Sequence, residues 1–329
     1  MLLPVRDGLS TLPAALQSLR RQTLADFELL AVDDGSRDGS AELLARAAAG
    51  DGRVRVLSTG GAGLVAALEL ARREARAPLL ARMDADDVCH PERLRLQREH
   101  LEAHPELAGT GARVRLFPRH RLGPGWLRYE RWLNGLVRPE ELRRERFVES
   151  PLAHPSVMLR ASALAGVGGY RDGPFPEDYD LWLRLLGAGL ALDKLPRVLL
   201  AWREREGRLT RQDPRYAPEA HRRLKLEHLL AGPLRGRGRV ALWGAGENGR
   251  RWARLLAGAG VEVALFLDVD RRKIGRTIEG APVLGPEAAS APELPFLLGA
   301  VGAVGGHENI RRHLAAAGKL EERDFLLVQ

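Results

Sequence analysis

Short apolar runs alternate with amphipathic helical patterns through roughly the first 110 residues, and two of those runs stop abruptly in carboxylates. The runs lie near Leu2–Val5, Phe27–Val32, Arg53–Leu57 and Pro78–Met83. The helical patterns lie near Ser10–Arg21, Ser40–Ala49, Gly63–Glu74 and Pro91–Ala103. Such an order implies an α/β chain, with a parallel sheet and helices on both faces. Val32-Asp33-Asp34-Gly35-Ser36 closes the second run and Met83-Asp84-Ala85-Asp86-Asp87 the fourth. A buried strand delivers such acids to its carboxyl end, the edge where open α/β sheets bind ligands. Asp84 and Asp86 share one face of an extended segment. Oxygen ligands in that arrangement suit a hard divalent cation, which bridges substrate phosphates while holding one or two protein carboxylates. The plain alternative is helix capping, which Asp38-Gly-Ser40 or His90-Pro91-Glu92 would also do.

Further pieces follow in a fixed order: Leu3-Pro4-Val5-Arg6-Asp7-Gly8, Ser18 to Gln22-Thr23, Asp26-Phe27-Glu28, Pro91-Glu-Arg93-Leu94, His154-Pro155-Ser156 and Glu177-Asp178-Tyr-Asp180-Leu-Trp182-Leu-Arg184. With the two acidic clusters they cover residues 1–230, and the stretch resembles the inverting family 2 glycosyltransferases of the GT-A fold. The resemblance implies a GT-A (nucleotide-diphospho-sugar transferase) α/β/α sandwich over residues 1–231. It implies an enzyme moving a sugar from a nucleotide-sugar donor, a UDP-sugar in our reading, to an acceptor hydroxyl with inversion, assisted by Mn2+ or Mg2+. Cell-surface polysaccharide biosynthesis is the setting that such enzymes suggest.

Sugar transfer of this kind expels a nucleoside diphosphate through an oxocarbenium-like transition state. It therefore needs positive charge on the leaving phosphates and a base for the acceptor hydroxyl. By the same resemblance Asp34 accepts from the nucleobase N–H, Asp33 supports its loop, and Pro4 and Arg6 lie at the nucleotide. Arg6 stands where the family often has a base-stacking aromatic, a task a guanidinium plane can also do. Asp84 is expected by the ribose and Asp86 on the metal, with Asp87 orienting the loop or capping the next helix. Asp178 is the candidate base, with helix capping as its structural alternative. His154 is a candidate contact to acceptor or phosphates. Relatives commonly carry a His after the last strand of this domain, at the place of Arg205. Arg205 or Arg208 could neutralise the diphosphate directly, which implies weaker metal dependence. Only Met-Leu-Leu precedes Pro4, fewer apolar residues than the family carries there, which leaves open a truncated start.

The 329 residues suffice for two domains with ordinary cores. No apolar run approaches the ~20 residues of a membrane span, and no signal-peptide pattern opens the chain. Cys89 is the single cysteine, so an internal disulfide is impossible and a reducing cytoplasm fits. Its surroundings make it a small residue beside the metal loop rather than a nucleophile. The net charge of +8 first suggests nucleic acid. Yet only four of the 51 basic residues are Lys, and residues 113–147 alone hold ten Arg against four Glu. Such a local excess suits an anionic acceptor or a peripheral contact with an anionic membrane, or else a solvated helical face. No nucleic-acid partner is expected, and the acceptor (sugar, lipid-linked or protein) stays open.

Residues 111–150 break the alternation: Trp126, Tyr129, Leu133, Leu136 and Val137 follow helical spacing up to Arg138-Pro139, a helix expected over the cleft. A strand is expected over Ser156–Arg160 and helices over Glu177–Leu186 and Tyr216–Leu230, followed by a Gly/Arg linker at 232–238. Residues 239–329 read as a half-size Rossmann-like unit. Its strand Arg239–Trp243 leads to Gly244-Ala-Gly246-Glu-Asn-Gly249, a helix, and a second strand ending in Asp268, the dinucleotide-binding plan. Gly244, Gly246, Gly249 and Asp268 are thus nucleotide-binding candidates, with binding or assembly as the expected role. They alone support a second overall reading, an NAD(P)-dependent oxidoreductase, which leaves both acidic clusters without a purpose. A third reading is a non-catalytic nucleotide-sugar-binding protein.

Overall fold

Leu29–Asp33 (β2) is buried along its whole length and lies between two parallel neighbours, Leu2–Val5 (β1) and Val54–Ser58 (β3). The computed structural model describes residues 1–205, 207–303 and 305–329, without the side chain of Leu209. These strands alternate with Leu12–Arg20 (α1), Ser40–Gly50 (α2) and Leu64–Glu74 (α3). Leu79–Ala81 (β4) follows, and Leu2 bridges Arg82 in parallel, so β1 lies between β2 and β4. The carboxyl ends of all three therefore point to one edge of the sheet.

Val88–Cys89 (β5) and Arg93–Ala103 (α4) lead to Leu107–Phe117 (β6), Pro124–Gly135 (α5) and Pro139–Glu145 (α6). Met158–Arg160 (β7), Ala161–Gly166 (α7), Glu177–Gly187 (α8), Ala191–Arg203 (β8) and Leu209–Gln212 (α9) complete this part. Its five strands run in the order β4-β7-β6-β8-β5. The pairing is mixed: β7 is antiparallel to β4 and β6, β5 is antiparallel to β8, and β6 runs parallel to β8. The parallel sheet expected from the first 110 residues thus holds for β1–β3 and gives way to a mixed sheet beyond them. Helix α8 starts after Pro176 with Glu177, Asp178 and Asp180 in its first turn, which complements the helix dipole. Tyr179 and Trp182 on α8 are fully buried. A core of Leu3, Val5, Leu12, Leu16, Leu44 and Leu94 lies between β1 and the helices α1, α2 and α4. A second cluster joins Val114, Leu116, Leu133 and Leu200.

The chain forms two compact units, Met1–Arg143 with Pro151–Ala217, and Arg144–Ser150 with Pro218–Gln329. The second holds Pro218–Ala231 (α10), Arg239–Trp243 (β9), Glu247–Gly258 (α11), Glu262–Leu267 (β10), Thr277–Ile278 (β11), Ala281–Leu284 (β12), Leu297–Gly299 (β13), Gly306–Ala316 (α12) and Phe325–Leu327 (β14). Its sheet runs β11-β12-β10-β9-β13-β14, parallel except for β11 against β12. β9 sits centrally with β10 on one side and β13 on the other. Among the described residues no helix is long and apolar enough to cross a membrane.

Candidate active site

The loops after β1 and β2 are sewn together by backbone donors. Asp7 N–H donates to Ser36 Oγ at 3.1 Å, Gly8 N–H to Ser40 Oγ at 3.0 Å and Arg37 N–H to Asp7 Oδ1 at 2.8 Å. Gly35 has φ +73°, and a Cβ there would come within 3.0 Å of the Gly61 backbone, so only glycine fits this turn. Asp33 accepts from Ser36 N–H at 3.3 Å. Asp34 is buried, and its Oδ1 accepts from Thr59 Oγ1 at 2.6 Å and from Gly63 N–H at 2.8 Å. Its Oδ2 faces Arg6 at 3.3 Å, a side chain 59% exposed that can yield that oxygen to another donor. Pro4 is buried in β1 opposite Val32.

Asp84, Asp86 and Asp87 each bring a carboxylate oxygen within 4.8 Å of the other two. Every donor is oxygen, and the third acid is fully buried. Asp87 Oδ1 accepts from Arg203 N–H at 2.7 Å, which ties the loop to β8 rather than capping α4, while its Oδ2 is buried with no hydrogen-bond partner. Removal from water pushes Asp87 well above the usual carboxylate range, and Asp84 and Asp86 push it further. Burial and then the Asp84 charge raise Asp86 as well. Asp84 behaves differently: removal from water opposes its ionisation, but the buried Arg82 guanidinium beside it prevails and holds its carboxyl low. Crowded acids with an orphaned buried oxygen fit a divalent cation. Asp86 Oδ2 itself accepts from Arg205 Nε at 2.9 Å.

Asp178 opens α8 beside Glu177, and its Oδ1 accepts from Tyr179 N–H at 2.8 Å. Removal from water, then the Glu177 charge, push Asp178 up to about 7. Glu177 is buried and nonetheless held low, because His154 lies 3.7 Å from its Oε1 and the Tyr216 hydroxyl donates to Oε2 at 2.6 Å. His154 also meets the Tyr170 hydroxyl at 3.1 Å and stands edge-on to Trp182. Burial, followed by the Arg82 charge, lowers its pKa. His154 therefore belongs to a packed network around Glu177.

The segment after β8 closes onto the same part of the unit. Arg208 donates to Glu204 at 3.1 Å and lies over the Trp202 ring, while Arg211 pairs with Glu204 and lies over Trp126. On α5, Trp126, Tyr129 and Trp132 pack partly buried against the cluster around Leu133 and Trp202. The aromatic stripe is thus largely core. The basic stretch is broken up: Arg119 pairs with Glu130, Arg138 with Glu141, and Arg144 and Arg146 belong to the second unit.

The model of "Glycosyl transferase family 2" matches residues 2–167. The chain belongs to this family. It is 32% identical over 190 residues to the amylovoran biosynthesis glycosyltransferase AmsE of Erwinia amylovora, covering 57% of this chain and 69% of that protein. It is 30% identical over 197 residues to the O-antigen biosynthesis glycosyltransferase WbnJ of Escherichia coli, covering 57% and 72%. The fold is similar to that of S. aureus TarS solved in complex with UDP-GlcNAc, with TM-score 0.53 and 15% identity over 70% of this chain and 66% of that one. This family 2 glycosyltransferase is thus an enzyme of glycosyl transfer with the GT-A α/β architecture.

In this glycosyltransferase Arg82 escapes a reading of the sequence, as do the structural roles of Arg93 and Gln22. Arg82 interrupts an apolar strand just before the Asp-x-Asp, the one signal that could have marked it as the partner of Asp84. Arg93 is fully buried on α4 and donates to the carbonyl of Arg82 at 2.8 Å, to that of Val157 at 3.2 Å and to Gln97 at 3.0 Å. Gln22 donates to the His90 carbonyl at 2.8 Å and accepts from Leu94 N–H at 3.1 Å. These members of the recognised pattern hold the acidic loop in place. Cys89, beside them, is buried with its thiol pushed up by burial, and Gln22 Nε2 lies 3.3 Å from its Sγ.

In the second unit, a Cβ on Gly249 would lie 1.7 Å from the Gly244 carbonyl oxygen, so the turn requires glycine there. Asp268 does not wait open for a ligand. Its Oδ2 accepts from Ala245 N–H at 2.8 Å and from Lys273 at 2.9 Å, and its Oδ1 from Asp270 N–H at 2.9 Å. Gly246 is the N-cap of α11.

Proposed function

We propose that the chain moves a sugar from a nucleoside-diphosphate-sugar donor, a UDP-sugar in our reading, to an acceptor hydroxyl with inversion at the anomeric carbon. The observation that carries this is the gathering of Asp84, Asp86 and Asp87 within 4.8 Å at the strand-end edge that also bears Asp34. Asp34 accepts from the base, Asp84 lies by the ribose, and Asp86 holds Mn2+ or Mg2+ together with Asp87. When bound, that ion supplies positive charge to the leaving diphosphate. Asp178 takes the proton of the acceptor hydroxyl as its oxygen bonds the anomeric carbon and the bond from that carbon to the diphosphate oxygen breaks. A carboxylate pushed up to about 7 suits a base working near neutral pH.

Two relatives support the donor class. TarS has been solved with UDP-GlcNAc, and an Escherichia coli relative, 25% identical over 209 residues, is a UDP-Gal:alpha-D-GlcNAc-diphosphoundecaprenol beta-1,3-galactosyltransferase. We propose a place in cell-surface polysaccharide assembly on the names of AmsE and WbnJ, and a cytoplasmic protein with a peripheral contact at the inner face of the membrane on the single cysteine and the basic stretch. Residues 239–329 form, in our reading, a Rossmann-like domain for nucleotide binding or assembly behind the catalytic domain. Thermal shift against UDP with Mn2+, and separately against NAD+, tests the reading, since selective ligands stabilise the fold they bind. A shift with NAD+ and none with UDP and Mn2+ would overturn it. Donor hydrolysis across a panel of nucleotide sugars would then name the sugar.

A further inference from the structure

Arg205 meets the acidic cluster through one side-chain bond among the described residues, Nε to Asp86 Oδ2 at 2.9 Å, and keeps 43% of its side chain in solvent. The other described cations at the cluster are committed elsewhere, Arg203 through its Nε to the Asp86 carbonyl at 2.7 Å and over the Phe117 ring. Arg82 is buried against Asp84, and Arg208 is 11% exposed, bonded to Glu204 and seated over Trp202. Among the described residues Asp87 is in no ion pair and takes the backbone N–H of Arg203. Asp86 is therefore the acid whose charge is met by a side chain free to leave.

We propose that Arg205 is a resident counter-cation that competes with the divalent metal for Asp86, so that metal enters tightly only together with the nucleotide. The inference rests on the metal reading of Asp86 given above. A carboxylate oxygen that accepts from a guanidinium N–H presents less charge to an incoming ion, and two cations on one oxygen repel. When a diphosphate arrives, it offers the guanidinium a new anionic partner and leaves Asp86 to the metal. Metal and nucleotide binding then reinforce each other, by an equal factor in both directions.

The test is calorimetric titration of MnCl2 into the full-length protein, with and without saturating UDP, for the wild type, Arg205→Gln, Arg205→Ala and Asp86→Ala. Without UDP, both Arg205 variants should bind Mn2+ about twofold to fivefold more tightly than the wild type, the worth of a half-exposed ion pair. With UDP present the gap should close or reverse, because Arg205 then serves the diphosphate. Asp86→Ala should lose Mn2+ binding in both conditions. Equal Mn2+ affinity of the wild type and both Arg205 variants without UDP would overturn the competition while leaving the metal site standing. Undiminished Mn2+ binding by Asp86→Ala would instead remove the metal reading itself, and the competition with it.

Discussion

Tyr216 donates its hydroxyl hydrogen to Glu177 Oε2 at 2.6 Å, and the carboxylate it serves is almost wholly out of water. A buried acid so supported stays charged, and its charge falls on the next residue along α8, Asp178. Burial and that charge together raise Asp178 to about 7. A base must be ionised to act, so kcat/KM should climb as pH rises through about 7 and level off above it. Asp178→Asn should retain UDP binding and lose turnover by roughly 10²–10⁴. Near-normal turnover in that variant would move the base elsewhere, with Asp180 next to be tried.

Glu177→Gln keeps the shape and hydrogen-bonding capacity of the side chain but deletes the negative charge beside Asp178. Losing a like charge makes the ionised form of Asp178 easier to reach, so its titration should move toward acid. The rising limb of the pH–rate profile should then begin at lower pH than in the wild type. Superimposable limbs would mean that burial alone sets the base.

Asp86→Ala should abolish the Mn2+-dependent part of UDP binding and leave the fold intact, since Asp86 lies in a loop at the sheet edge. Differential scanning fluorimetry with UDP, with and without Mn2+, reads this directly. An undiminished Mn2+ effect in the variant would sink the assignment.

Arg93→Met tests the support beneath the acidic loop. The substitution leaves the carbonyls of Arg82 and Val157 and the side chain of Gln97 short of a donor in a buried setting. The first unit should lose about 3 kcal/mol in chemical denaturation, as buried polar networks do when one partner goes. A loss under about 0.5 kcal/mol would show the network to be replaceable by packing.

Of the basic stretch, Arg121, Arg128 and Arg131 are exposed. Changing all three to Ala should weaken binding to anionic vesicles by about 3 kcal/mol at most and leave UDP binding untouched. Salt-independent vesicle binding that ignores the substitutions would identify the stretch as a solvated face.

The sequence reports the elements of the donor half because each apolar run there ends in a turn or an acid. Helices α1 to α4 lie within two residues of the expected spans. Of the two longest strands, β6 passes unnoticed in the same kind of reading and β8 enters only as a last strand without bounds. In β6, Gly109 and Gly111 replace the branched residues that mark a strand, because Leu159 and Leu152 press against the positions where side chains would stand. In β8, Pro196 and the buried Lys194 interrupt the apolar pattern, and Lys194 is accommodated only because its ammonium caps the Leu133 carbonyl of α5. The acidic residues of the site are legible from their positions at strand ends. Tyr216 and the pairing of Arg205 with Asp86 are not, since they depend on contacts between segments distant in the chain, while Arg82 shows in the sequence only as a charge inside an apolar run.

Cys89 lies at the end of the loop that carries the three acids, shut in by Gln22 and Arg93 and sharing the core beneath. A thiol so enclosed meets an alkylating reagent only while that loop swings open. The chain's one sulfhydryl would therefore serve as a stopwatch in place, timing any opening of the acidic loop without a label or substitution. A slower reaction on adding nucleotide and metal would measure how firmly they hold the loop.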